Sequence, residues 1–97
     1  MLNSKDRAKL KGIASTTETI LQLGKGGIGE ALIKQVDDAL TARELIKLHV
    51  LETAPQGPKE LAALLAESTG SQVVQVIGKK IVLYKENKDH KKIELPR

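Results

Sequence analysis

The stretch VVQVIGKKIVLY at residues 73–84 does more than any other to limit what this chain can fold into. Two runs rich in β-branched residues, 73–77 and 81–84, flank a Gly78-Lys79 step. A two-residue connection whose first position takes positive φ is a hairpin turn, and glycine supplies that φ without steric cost. The two runs therefore read as an antiparallel pair of strands.

Upstream, helical and strand periods alternate. Ser4 reads as the N-cap of a helix reaching to about residue 15, with Leu10, Ile13 and Ala14 inward and Lys5, Arg7, Lys9 and Lys11 mostly outward. Residues 18–23 read as a strand running into a cluster of glycines. From Ile28 the apolar positions Ile28, Leu32, Val36 and Leu40 recur every fourth residue, broadened by Ala31, Ile33 and Ala39, which predicts an amphipathic helix with Lys34, Gln35, Asp37 and Asp38 outside. Residues 45–51 read as a strand with Ile46, Leu48 and Val50 on one face, and 52–57 as a loop. Pro58 and Gly70 bracket a third helix, with Leu61, Leu64 and Leu65 facing the core. The final residues, 86–97, are polar apart from Ile93 and Leu95 and read as a flexible tail that docks those two side chains. The expected fold is a compact single α/β domain over residues 1–97 in the order α-β-α-β-α-β-β. Its sheet contains parallel pairing, is covered by helices, and is closed at one edge by the hairpin.

Composition narrows the function classes. A chain of 97 residues is one domain, and with no cysteine it has neither disulfides nor thiolate metal sites. No apolar run approaches the roughly 20 residues of a membrane span and no secretory apolar segment follows Met1, so the expectation is a cytoplasmic protein. The net charge of +4 is unevenly spread: +3 over residues 1–29, −3 over 30–72 and +4 over 73–97. Basic ends suit an anionic partner, and equally a surface kept soluble by charge.

Four of the eight glycines fall within GKGGIG at residues 24–29, between a strand and a helix. Amides at a helix N-terminus lack intrahelical acceptors and the helix dipole favours anions there, so glycines at this junction let a phosphate reach the backbone. Three readings compete. Gly24, Gly26 and Gly29 match the dinucleotide pattern G-x-G-x-x-G, with Glu52 a little over 20 residues further on, but the chain is short for such a domain and turns into a hairpin where further strand-helix units should follow. No Walker A loop occurs. Gly24-Lys25-Gly26-Gly27 also matches the G-x-x-G loop with which KH-type domains clamp a nucleic-acid backbone. The third reading is a tight turn alone, for which two glycines would suffice.

Catalytic constellations are not apparent. His49 falls in a strand and His90 in the tail, with no second ligand at metal spacing. Asp37, Asp38 and Glu44 read as a solvated helix face and its end rather than an acid-base pair, and Ser68, Thr69 and Ser71 have no base nearby. Tyr84, the one aromatic residue, offers no platform for stacking successive bases, so backbone and shape contacts would carry nucleic-acid affinity.

Taken together, LKGIA at 10–14, LGKGGI at 23–28, ELIKLHVL at 44–51, VQVIGKKIVLYK at 74–85 and the terminal IELPR resemble the chloroplast RNA splicing and ribosome maturation (CRM) domain family, in particular its stand-alone bacterial YhbY-type members. The resemblance covers nearly the whole chain. It implies three helices against a four-stranded mixed sheet, similar to the C-terminal domain of translation initiation factor 3. It also implies RNA binding by Gly24, Lys25, Gly26 and Gly27, with Lys5, Arg7, Lys9 and Lys11 as a neighbouring basic surface. Association with precursors of the large ribosomal subunit follows from the same resemblance. Where many relatives carry Ala-His and a proline-containing segment, this chain has Ala14-Ser15 and TTET. The expectation is a non-catalytic, monomeric RNA-binding protein without cofactor, metal, membrane or small-molecule substrate. The alternative is a protein-interaction module docking through its acidic middle segment, including Asp37, Asp38 and Glu44.

Overall fold

Asn3, not Ser4, caps the first helix. The computed structural model describes residues 3–87, and helix α1 spans Ser4–Thr16. The Asn3 side chain accepts from the Asp6 amide at 2.8 Å while the Asp6 carboxylate accepts from the Asn3 amide at 3.4 Å, a reciprocal capping box. The N-x-x-D spacing was the available signal. Ser4 lies one residue too late to close it.

The remaining elements follow in the expected order: β1 Leu21–Leu23, α2 Glu30–Arg43, β2 Leu45–Val50, α3 Pro58–Thr69, β3 Gln72–Ile77 and β4 Lys80–Tyr84. They form one mixed sheet of strand order β1-β2-β4-β3. β1 lies parallel to β2 with Leu21 opposite Leu48, and the helical connection α2 supplies the crossover that parallel neighbours need. β4 runs antiparallel to both β2 and β3. Gly78 at φ +57 opens the two-residue turn between Ile77 and Lys80, as the hairpin reading requires. β1 is shorter than residues 18–23, although the Ile20 amide still donates to the Lys47 carbonyl at 3.0 Å.

Strand alternation sorts the apolar residues into two cores, one on each side of the sheet. Ile46, Leu48 and Val50 of β2 and Ile81 and Leu83 of β4 join Leu23, Val36, Leu40, Leu61, Ala62 and Leu65 under α2 and α3. On the other side Leu45, Val74, Val82 and Tyr84 pack with Leu10 and Ala14 of α1. β2 is thus apolar on both faces at its start, as a central strand should be. Pro58 opens α3 and Gly70 ends it in the left-handed region at φ +69, but its buried stripe is Leu61, Ala62, Leu65 and Thr69. Leu64, expected in the core, is 38% exposed because it flanks the i, i+4 line through residues 61, 65 and 69.

Two charged side chains are structural. β3 carries a bulge, with Val73 opposite Leu83 and Gln75 opposite Val82, so Val74 is the extra residue. Arg7, expected on the outer surface, lies half-buried and donates from Nη1 to the carbonyls of Val73 and Val74 at 2.8 and 3.2 Å. Its guanidinium pins α1 to the irregular stretch of β3. Glu44, read as a solvated helix end, is fully buried and adopts φ +63, a conformation costing a non-glycine residue of order 1–3 kcal/mol. Hydrogen bonds hold it there: its amide donates to Leu40 at 2.7 Å, its carbonyl accepts from the Lys85 amide at 2.9 Å, and its Oε2 accepts from the Asn87 amide at 2.7 Å. Asn87 Nδ2 also donates to the Thr41 carbonyl at 2.9 Å, so Asn87 is tied to the end of α2. The docking expected of Ile93 and Leu95 lies outside the described residues.

These contacts set expectations for thermal unfolding. Arg7→Ala strands two carbonyls at the bulge and should cost about 1–3 kcal/mol, while Lys11→Ala on the same helix should stay within about 0.5 kcal/mol. Each lost kcal/mol lowers the Tm by roughly 4–8 °C in a domain of this size. Equal Tm values for the two variants would place the guanidinium in solvent. In the same way Glu44→Ala should destabilise by about 1–3 kcal/mol and Asp38→Ala should leave the Tm nearly unchanged.

Candidate nucleic-acid interface

Strand directions gather three connections at one end of the sheet. β1 and β2 are parallel and both finish there, and antiparallel β4 begins there, with His49 opposite Lys80. The glycine loop after β1, the 51–57 loop after β2 and the Gly78-Lys79 turn are therefore neighbours. The Leu51 amide donates to the Leu23 carbonyl at 2.8 Å and the Val50 amide to the Lys79 carbonyl at 2.7 Å. Across the surface, Lys79 Nζ donates to Glu52 Oε1 at 2.9 Å. That hydrogen bond and the lysine charge hold the Glu52 carboxyl below the usual carboxylate range. Glu52 is fully exposed and paired with a lysine, and only two strands of the sheet are parallel, so the dinucleotide pattern finds no matching architecture.

The four loop glycines divide by what the chain itself demands of them. The Gly27 amide donates to the Gly24 carbonyl at 3.0 Å, closing a turn with Lys25 and Gly26 exposed at its tip. Gly27 has φ +62, and a Cβ there would lie 3.0 Å from Cγ of Pro55. A Cβ on Gly24 would lie 3.3 Å from Cδ1 of Leu51. These two glycines let the loop fit against residues 51–55. Gly26 differs: it has no positive φ and nothing lies within 4 Å of its Cβ position, so nothing inside the protein requires a glycine. Gly29 has equally open surroundings and is the N-cap of α2, which has no side-chain cap hydrogen bond. The first-turn amides of α2 thus adjoin the glycine loop without a capping side chain.

Charge is layered across the fold. α1 holds four cations (Lys5, Arg7, Lys9 and Lys11) and one carboxylate, the buried Asp6. On the opposite side α2 and α3 hold five carboxylates (Glu30, Asp37, Asp38, Glu60 and Glu67) and three cations. The alternation of charge along the chain becomes a basic side and an acidic side. Lys47 and Lys80 add to the basic side, since Lys47 pairs with Val82 and donates from Nζ to the Ala14 carbonyl at 3.0 Å.

The basic residues of α1 do not all adjoin the glycine loop. Arg7 reaches the start of β3, so the first turns of α1 lie over the end of the sheet away from the loop. Arg7, Lys11 and Ser15 follow at i, i+4 spacing along one stripe of the helix, which leads back toward the loop end. Lys5 and Lys9 occupy a different stripe. On the acidic side Glu44 is buried, Asp37 accepts from Lys85 Nζ at 3.1 Å while staying half-exposed, and Asp38 is exposed. No cluster of three His, Cys, Asp or Glu side chains able to hold a metal exists among the described residues. His90 lies outside them. No described helix is long and apolar enough to cross a membrane.

Known proteins match this chain along almost its full length. A protein of Bacillus subtilis named as the probable RNA-binding protein YqeI is 46% identical over 96 residues, covering 99% of this chain and all of that protein. An RNA-binding protein of Haemophilus influenzae is 31% identical, covering 99% and 96% of the two chains. The solution structure of the hypothetical protein SAV1595 from Staphylococcus aureus superimposes with a TM-score of 0.82 at 52% identity, over 99% of this chain and 100% of that one. The model of the CRS1/YhbY (CRM) domain matches residues 2–85, and the chain belongs to that family.

Proposed function

We propose that this protein is a non-catalytic RNA-binding protein of the cytoplasm that grips the backbone of ribosomal RNA with the loop Gly24-Lys25-Gly26-Gly27. It acts as a monomer during assembly of the large ribosomal subunit. One observation carries the reading: Gly26 sits at an exposed loop tip, beside uncapped helix amides, and is glycine for no reason internal to the fold. A partner whose backbone must come close to the loop supplies the reason. The names of the relatives support RNA as that partner, and the family resemblance supports the ribosomal setting.

Lys25 provides a cation at the tip, and Lys11 and Lys80 extend the field along the basic side. Because Glu52 stays ionised at neutral pH and offsets Lys79, these three lysines, rather than the hairpin lysine at 79, should dominate phosphate contacts. Of the carboxylates on the acidic side Glu44 is unavailable to a partner, being buried, whereas Asp37 and Asp38 stay accessible.

Phosphate contacts release counterions, so log affinity for structured RNA should fall linearly with log salt at about −0.7 to −0.9 per contact. Lys25→Glu should weaken binding at low salt and shallow that slope by about one contact. The native protein should co-sediment with immature large subunits, and Lys25→Glu should release it. Binding indifferent to both salt and Lys25→Glu would contradict the proposal.

A further inference from the structure

α1 is too short to cover its side of the sheet. It buries Leu10 and Ala14 over Leu45, Val74, Val82 and Tyr84 and ends at Thr16. Beyond Ser15 the sheet corner formed by the β3–β4 hairpin stays open, leaving Ile77 63% exposed. A recess of about 160 Å³ lies there, lined by Ser15, Lys47, Gln75, Ile77, Lys80 and Val82. Its chemistry is mixed in a specific way. Ile77 and Val82 supply apolar surface, Gln75 and Ser15 supply amide and hydroxyl groups, and two lysines stand at the rim with no carboxylate among the lining residues. The larger recess on the acidic side, about 510 Å³, includes Glu30 and Asp37 instead.

From these observations we infer that the recess holds one unpaired nucleobase of the RNA whose backbone the glycine loop grips. The inference rests on the RNA-binding reading and adds to it a second contact, made to a base. The volume is below the roughly 300–1,000 Å³ of pockets that enclose a whole small molecule, and suits a single flat ring system. Ser15 Oγ donates to the Gly12 carbonyl at 2.6 Å and so turns its lone pairs outward to accept from a base edge. Gln75 can both donate and accept. Lys47 spends one of its three donors on Ala14, and Lys80 is exposed, so both can meet the phosphate of the inserted nucleotide.

The placement fits one continuous strand. Neighbouring strands are about 4.8 Å apart, so the recess on β4 and β3 lies roughly 10–14 Å from the end of β1, within reach of a few nucleotides. Lys11, one turn before Ser15 on the same stripe, continues the path along α1. A base held in a duplex cannot enter the recess, whereas a bulged or loop nucleotide can.

Two RNAs test this: a fully paired hairpin stem, and the same stem with one bulged nucleotide. Fluorescence anisotropy at fixed salt should show the protein binding the bulged RNA about tenfold more tightly. The neutral double variant Gln75→Ala with Ile77→Ser, made at positions outside the buried core and checked by Tm, should lose that preference while keeping paired-stem affinity within about twofold. Lys25→Glu should weaken both RNAs together. Equal affinity of the unaltered protein for the two RNAs would overturn the base pocket and leave the glycine-loop reading standing. So would an equal loss on both RNAs in the double variant. Binding to neither would overturn the RNA-binding reading itself, and the pocket with it.

Discussion

The antiparallel pairing of β2 with β4, from Leu45 opposite Tyr84 to His49 opposite Lys80, is the strand pairing that joins the two units of the sheet. One is the parallel β1-α2-β2 unit and the other is the β3–β4 hairpin. Their junction stacks Ile46 and Leu48 beside Leu83 and Ile81 on one face, and Leu45 beside Tyr84 on the other, so a single register fills both cores. A slip of one residue would exchange the faces and place Lys47 and His49 under α2 and α3, a large desolvation cost. The same register carries the Gly78-Lys79 turn to the end where β1 and β2 finish. The candidate RNA surface is thus a consequence of core packing.

Much of this was readable in the sequence because the signals are local. The hairpin followed from Gly78 between two β-branched runs, α3 from Pro58 and Gly70, and α2 from its four-residue apolar period. What escaped depends on residues far apart in the chain. Arg7 reads as one of four outward cations until β3, 66 residues later, presents two bulge carbonyls. Glu44 reads as a solvated helix end until Lys85 and Asn87 return to enclose it. In both cases a charged residue does a task that composition assigns to solvent. The Asn3 cap was local and visible in principle, in the N-x-x-D spacing.

The glycine loop was found by sequence, but the division of labour inside it was not. Gly24 and Gly27 face Leu51 and Pro55 on a loop nearly thirty residues away, and only their proximity separates glycines required by the fold from those that are not. Gly26 and Gly29 are the two left over, and of these Gly26 lies beside Lys25 at the tip of the turn. An unneeded glycine raises the conformational entropy of the unfolded chain, so its presence weakens the fold slightly.

Comparing Gly26→Ala with Gly27→Ala tests this division most directly, using the Tm and the affinity for structured RNA of each variant. Gly27→Ala should lower the Tm, since the new methyl group meets Pro55 at φ +62, a backbone region costing non-glycine residues roughly 1–2 kcal/mol. Gly26→Ala should hold or slightly raise the Tm and yet weaken RNA binding several-fold. A Gly26→Ala protein that is fully stable and binds RNA as tightly as the original would contradict the claim that this loop is built for a close-lying phosphate backbone.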